Sequence, residues 1–164
     1  VFDTSIGVIM VLIINYVMAR PNYYNNTMNE FIKIKELFKE NVRNIVVDKN
    51  DLDLKSIEIK IKNSEAIYSK LIDEINYSKI DCNLDIIDKS LDLCRQIYFH
   101  IKSIELLEKE LFLTKENHKQ LKKLYKNEEK FIEINDDESP VFNFHLNKIL
   151  EKIKILDDLV DVNN

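Results

Sequence analysis

A single glycine, Gly7, and two prolines, Pro21 and Pro140, are all that this chain of 164 residues has of either type. Sheets need frequent tight turns, and tight turns draw on Gly and Pro for conformations that other residues resist. A chain this poor in both has to be built from long elements with few connections. The expected fold class is therefore all-α. With 45% hydrophobic and 32% charged residues it has the means to bury a core, and its length suits one ordinary domain.

Charge is distributed very unevenly. Before Glu30 the only charged side chains are Asp3 and Arg20, and residues 4–19, TSIGVIMVLIINYVMA, carry none. A bilayer span takes about 20 mostly apolar residues, so the run is short, and Asn15 interrupts it. Arg20 could snorkel, and Tyr16, Tyr23 and Tyr24 could sit at an interface. The leading expectation is a membrane helix, with lipid as its partner over residues 4–19. A buried core helix and a signal-peptide remnant are the competing readings. The organisation that follows is an apolar anchor helix over 1–20, a break over 21–27 and a helical bundle over 28–164.

Hydrophobic spacing divides the bundle. PNYYNN (21–26) breaks the chain, and Thr27 with Glu30 fits a capping box opening a helix over about 28–46. Its apolar stripe is Phe31, Ile34, Phe38, Val42 and Ile45. A charged turn follows, VDKNDLD. Leu54, Ile57, Ile61, Ser64, Tyr68, Leu71 and Ile75 then keep heptad spacing. The alternation through Ile57, Ile59 and Ile61 also admits a strand over 55–62, but a lone strand would have no partner, so the helix is favoured.

Asn83 is placed to cap a third helix whose seam is Leu84, Ile87, Leu91, Cys94, Tyr98 and Ile101. Ile104 arrives one residue early, and the seam resumes through Leu111, Thr114, His118, Leu121 and Tyr125. One long helix over 84–130 with a stammer near 104–108 is favoured over two helices parted near Thr114. After FIEINDDES, Ser139 and Pro140 form a strong helix start. Phe142, Leu146, Ile149, Ile153, Leu156 and Val160 carry that helix to about Asp161. Each helix has one apolar stripe and one charged face, so an antiparallel bundle of three to four long helices buries the stripes together.

Nothing in the chain names a reaction. His100, His118 and His145 occur in no HExxH pattern and in neither copy of the Glu-x-x-His pair a di-iron bundle requires. His118 falls on a seam, where a hydrogen-bonded core histidine is the ordinary reading, and His145 flanks one. Tyr68, Tyr98 and Phe99 lie at or beside seams and are read as core packing, with an aromatic-lined pocket as the alternative. Cys82 and Cys94 allow a disulfide without requiring one, and a zinc site lacks its partners. Asp136, Asp137 and Glu138 form an acidic run without the spaced ligands of a calcium loop. A phosphate-cradling Gly-rich loop is excluded by the single glycine. No catalytic, cofactor-binding or metal-ligating residue is assigned.

The net charge is −5, and lysines alternate with acids along the helices, as in KIKELFKE and EKELFLTKE. Nucleic-acid binding needs clustered positive charge, so no nucleic-acid partner is expected. Lys far outnumbers Arg (Arg20, Arg43 and Arg95), Ile and Asn abound, and Ala occurs only at Ala19 and Ala66. That is the codon bias of an AT-rich genome. Asp3 before an apolar helix that ends at Pro21 resembles, in outline, the N-terminus of type IV pilin-like proteins. The resemblance covers about 22 residues. It would imply a filament subunit, but the chain departs from that family in its first residue, its acid and its helical remainder.

The expected function is a non-enzymatic one. The chain reads as a membrane-anchored helical accessory subunit of a larger assembly, such as a mitochondrial inner-membrane complex of a protist. Other protein subunits would be its partners, through the apolar heptad seams. The alternative from another class is a sensory or ligand-binding four-helix bundle behind a first transmembrane helix. A pilin-like filament subunit is the minor one.

Overall fold

The computed structural model describes residues 9, 22–45, 52–78, 83–107, 115–125, 134 and 139–161. These form five helices and, among the described residues, no strand. The helices are α1 (Tyr23–Arg43), α2 (Leu54–Ser78), α3 (Leu84–Leu106), α4 (Lys115–Tyr125) and α5 (Pro140–Asp161). The chain is all-α and folds as a helical bundle. The proposed membrane helix over residues 4–19 lies outside the described residues, except for Ile9, which is helical and exposed. Among the described residues no helix is long and apolar enough to cross a membrane.

The four long helices pack in a ring. α1 contacts α2 and α5, α3 contacts the same two, and α1 meets α3 across the middle. Cross-helix bonds show the directions. Asn41 accepts from the Asp53 amide at one level, and Glu30 reaches Lys60 at another, so α1 and α2 run antiparallel. Glu65 meets Arg95 and Glu58 meets Tyr98, so α2 and α3 are antiparallel as well.

The stripes turn inward as their spacing demands. Phe31, Ile34, Phe38, Val42 and Ile45 of α1 are buried, as are Ile57, Ile61 and Leu71 of α2. On α3 the buried set is Ile87, Leu91, Cys94, Ile97, Ile101 and Ile104. On α5 every expected seam residue from Phe142 to Val160 is buried. Each such aliphatic or aromatic side chain contributes about 1.5–3 kcal/mol of burial. Residues 55–62 are helical, which decides against the strand. Ile57 and Ile61 face the core, while Ile59 between them is exposed.

Two boundaries differ from the expectation. α1 begins at Tyr23, so Tyr23–Thr27 belong to the helix and the break shrinks. Its N-cap is Asn22, whose side chain accepts from the Asn25 amide at 3.0 Å. Asn is at least as good a cap as Thr, and Asn22 stands a full turn earlier. Thr27 is left inside the helix, where its hydroxyl donates to the Tyr23 carbonyl, and Glu30 pairs with Lys33 and Lys60 instead of a cap.

The second correction concerns residues 84–130, which are not one helix. α3 stops at Leu106, and Leu107 has an extended backbone (ψ 117°). The early arrival of Ile104 marks the place. With the seam one residue out of step, continuing the helix would carry its apolar face off the core. α4 then turns Asn117 and Leu121 inward, with His118 half-buried.

Candidate functional site

Two histidines form a polar arrangement that no helix stripe foretells. His100 stands on α3 one residue before buried Ile101, and His145 stands on α5 one residue before buried Leu146. Since α3 and α5 pack side by side, both rings emerge at the rim of the same seam. Their Nδ1 atoms are 2.9 Å apart, a hydrogen-bond distance. The ring centres are 5.1 Å apart. That separation is the 2.9 Å contact extended by about one ring radius at each end, so the nitrogens meet nearly head-on.

A head-on approach has a definite chemical meaning. A neutral imidazole has one N–H and one lone pair. One ring must carry its proton on Nδ1 and donate, and the other must carry its proton on Nε2 and accept. A chelated metal would need the two lone pairs to converge on a third point, and these point at each other. Among the described residues no group of three or more His, Cys, Asp or Glu is placed to hold a metal ion.

Apolar rings border the pair. Phe99 packs edge-on against His100 (centroids 5.5 Å) and His145 (6.5 Å), and Phe144 against His100 (6.1 Å) and His145 (5.3 Å). Phe99 is 62% exposed, Phe144 54%, and Val141, one turn before Phe144, 55%. Large apolar side chains clustered on one surface mark interaction sites more often than scattered ones do. Burial first, then His145 and the ammonium groups of Lys152 and Lys148, hold His100 below the ordinary imidazole range. Burial does the same to His145.

The other sequence candidates do not gather here. His118 sits apart on α4. The Tyr98 hydroxyl faces Glu58, while Tyr68 lines an open depression of about 460 Å³ between α2 and α3, with Glu65, Asp73, Asp88 and Arg95. Arg95 already holds Glu65 there, through both Nε and Nη2. The three aromatic residues therefore do not line one pocket. Cys94 is a free, buried thiol, and burial pushes it well above its ordinary range. Cys82 and the acidic run Asp136–Glu138 lie outside the described residues.

The two histidines share a local sequence setting, which does not by itself bring them together. His100 and His145 each stand directly before a seam isoleucine or leucine and directly after a phenylalanine, as Phe99-His100-Ile101 and Phe144-His145-Leu146. No family model matches this chain, and neither a curated protein nor a solved structure is detectably similar to it.

Proposed function

We propose that this chain is a non-catalytic helical subunit of a larger protein assembly, held at a membrane through residues 4–19, and that the α3–α5 face carrying Phe99, Val141 and Phe144 receives a protein partner. The observation that carries the reading is the exposure of those three side chains beside a filled core. Among the described residues the heptad stripes are buried in, or packed against, the chain's own core, so they are engaged within the bundle. Among the described residues the Phe99–Phe144 face gathers exposed aromatic rings on one side, and aromatic residues are enriched in contacts between subunits. The anchor rests on the uncharged run between Asp3 and Arg20.

Native gel electrophoresis of the tagged full chain, extracted from membranes with mild detergent, tests the proposal. The expected result is migration in a large complex. The double variant Phe99→Ser, Phe144→Ser should release the chain while circular dichroism stays unchanged, because neither ring is part of the buried core. Removing residues 4–19 should move the protein out of the membrane fraction. Migration of the unaltered chain only as a free monomer would refute the subunit reading, and an unchanged complex in the double variant would refute the face.

A further inference from the structure

We infer that His100 and His145 form a proton-operated clasp between α3 and α5, closed while the pair holds at most one extra proton and opened by the second. The inference goes beyond the partner reading and does not depend on it, since the clasp belongs to the isolated chain. Its basis is the head-on 2.9 Å contact and the ring-centre separation of 5.1 Å.

Counting protons gives the mechanism. With both rings neutral, one Nδ1–H donates to the other Nδ1 lone pair. After one proton is added the donor ring becomes an imidazolium, and the same bond persists in a charge-assisted form. A second proton occupies the remaining lone pair. Two N–H groups and two positive charges then face each other, and the bond between the helices is gone.

The surroundings push the same way. Lys148 and Lys152 of α5 act on His100, and both disfavour added positive charge. Glu151 is engaged by Lys148 at 2.7 Å. From α2, on another side of α3, Glu58 is taken by Lys62 and the Tyr98 hydroxyl. From α1, Lys35 and Lys39 meet Asp157, about three turns along α5 from His145. The apolar rings of Phe99 and Phe144 border the pair and offer no acceptor for the added charge.

Both rings bind protons less well in the folded chain than in an unfolded one. Folding therefore expels protons, and stability rises with pH across the titration. The contribution of the pair is complete above the ordinary imidazole value of about 6.5. It falls as the pH drops through that value, and the fall ends once the folded chain has itself taken up both protons.

Two-bond 1H–15N spectra of the uniformly 15N-labelled full chain, followed from pH 8 to pH 4, test the clasp, with His118 as the control within the chain. At pH 8 His100 and His145 should occupy opposite tautomers, with a scalar coupling between the two Nδ1 nuclei. The second proton should bind at least about tenfold more weakly than the first, the mark of a coupled pair. Amide exchange along the α3–α5 boundary should rise with that second step. In His145→Asn, His100 should titrate in one step, without the coupling and without the rise in exchange. Equal tautomers without a coupling in the unaltered chain would overturn the inference, whatever the variant does. So would two independent titrations that replacement of the partner leaves unchanged.

Discussion

The Lys35 ammonium, buried between α1 and α5, lies 2.5 Å from Asp157 Oδ1, and Lys39 approaches Oδ2 of the same carboxylate at 3.3 Å. One acid thus serves two cations on the neighbouring helix. The two sides of the pair are unequally exposed: the Lys35 side chain keeps 7% of its surface in water and Asp157 keeps 31%. Desolvation falls mainly on the lysine, so the carboxylate chiefly offsets a cost that the lysine creates.

Substitutions on the two sides should then differ. Asp157→Asn takes the carboxylate away from a buried ammonium and is expected to lower stability by about 1–2 kcal/mol, less than a fully buried pair would lose because Asp157 is part-exposed. Lys35→Met removes the buried charge while keeping the stem, and is expected to change stability by less than about 1 kcal/mol in either direction. Urea denaturation with the slope held common compares them directly. Equal losses would show that the ion pair itself is the stabilising unit.

A second prediction concerns Asn147. Its Oδ1 accepts from the Ile134 amide at 2.7 Å, and its Nδ2 donates to the Ile134 carbonyl at 2.8 Å. The side chain satisfies both polar groups of a residue outside any helix and holds the Ile134 side chain in the core, 1% exposed. Two bonds at about 1 kcal/mol each set the scale, so Asn147→Ala should cost roughly 2 kcal/mol. For a chain of this length that is a fall in Tm of about 4–8 °C. Asn147→Asp should lose at least as much, since it keeps the acceptor but sets a second acceptor against the Ile134 carbonyl. Thermal unfolding followed at 222 nm reads both.

Asn147 also shows what the sequence could and could not convey. Stripes are legible because burial repeats with the helical period, and the α1, α2, α3 and α5 stripes follow it closely. Helix ends are legible where chemistry is local: Ser139 before Pro140 opens α5 as expected. Long-range polar contacts have no period. Asn41 donates to the Leu37 carbonyl and accepts from the Asp53 amide, holding the start of α2. Asn147 does the same for Ile134. In a chain so rich in Asn, composition alone hides which ones do this. The His100–His145 contact escaped for a related reason, since each histidine is unremarkable until α3 and α5 lie side by side. The end of α3 was visible as a seam defect, but spacing alone could not separate an overwound helix from a broken one.

The third prediction rests on Cys94, buried and free on the α3 seam. Thiol reagents act on the thiolate, and burial both excludes the reagent and raises this thiol out of its ordinary range. In a chain carrying Cys82→Ser, Cys94 should remain unlabelled by a maleimide at pH 8 under native conditions and react promptly in 6 M guanidinium. The labelling rate at intermediate denaturant should then follow the opening of the α3 seam. Fast labelling of the native chain would mean that this part of the core opens readily.

Buried hydroxyls supply the last prediction, because the fold treats them in two ways. The Thr27 hydroxyl is buried and donates to the Tyr23 carbonyl at 2.8 Å. Ser64 and Ser90 are equally buried, yet neither hydroxyl has a hydrogen-bond partner among the described residues. A buried polar group without a partner carries a desolvation cost of about 1–3 kcal/mol, and a serine differs from an alanine by that oxygen alone. Ser64→Ala and Ser90→Ala are therefore each expected to raise stability, by about 1 kcal/mol, helped by the higher helix propensity of alanine. Thr27→Ala should lower it, since it gives up a satisfied bond and the packing of a methyl group. Denaturation midpoints of the three variants decide the matter. A loss of stability in both serine variants would mean that each hydroxyl makes a hydrogen bond in solution.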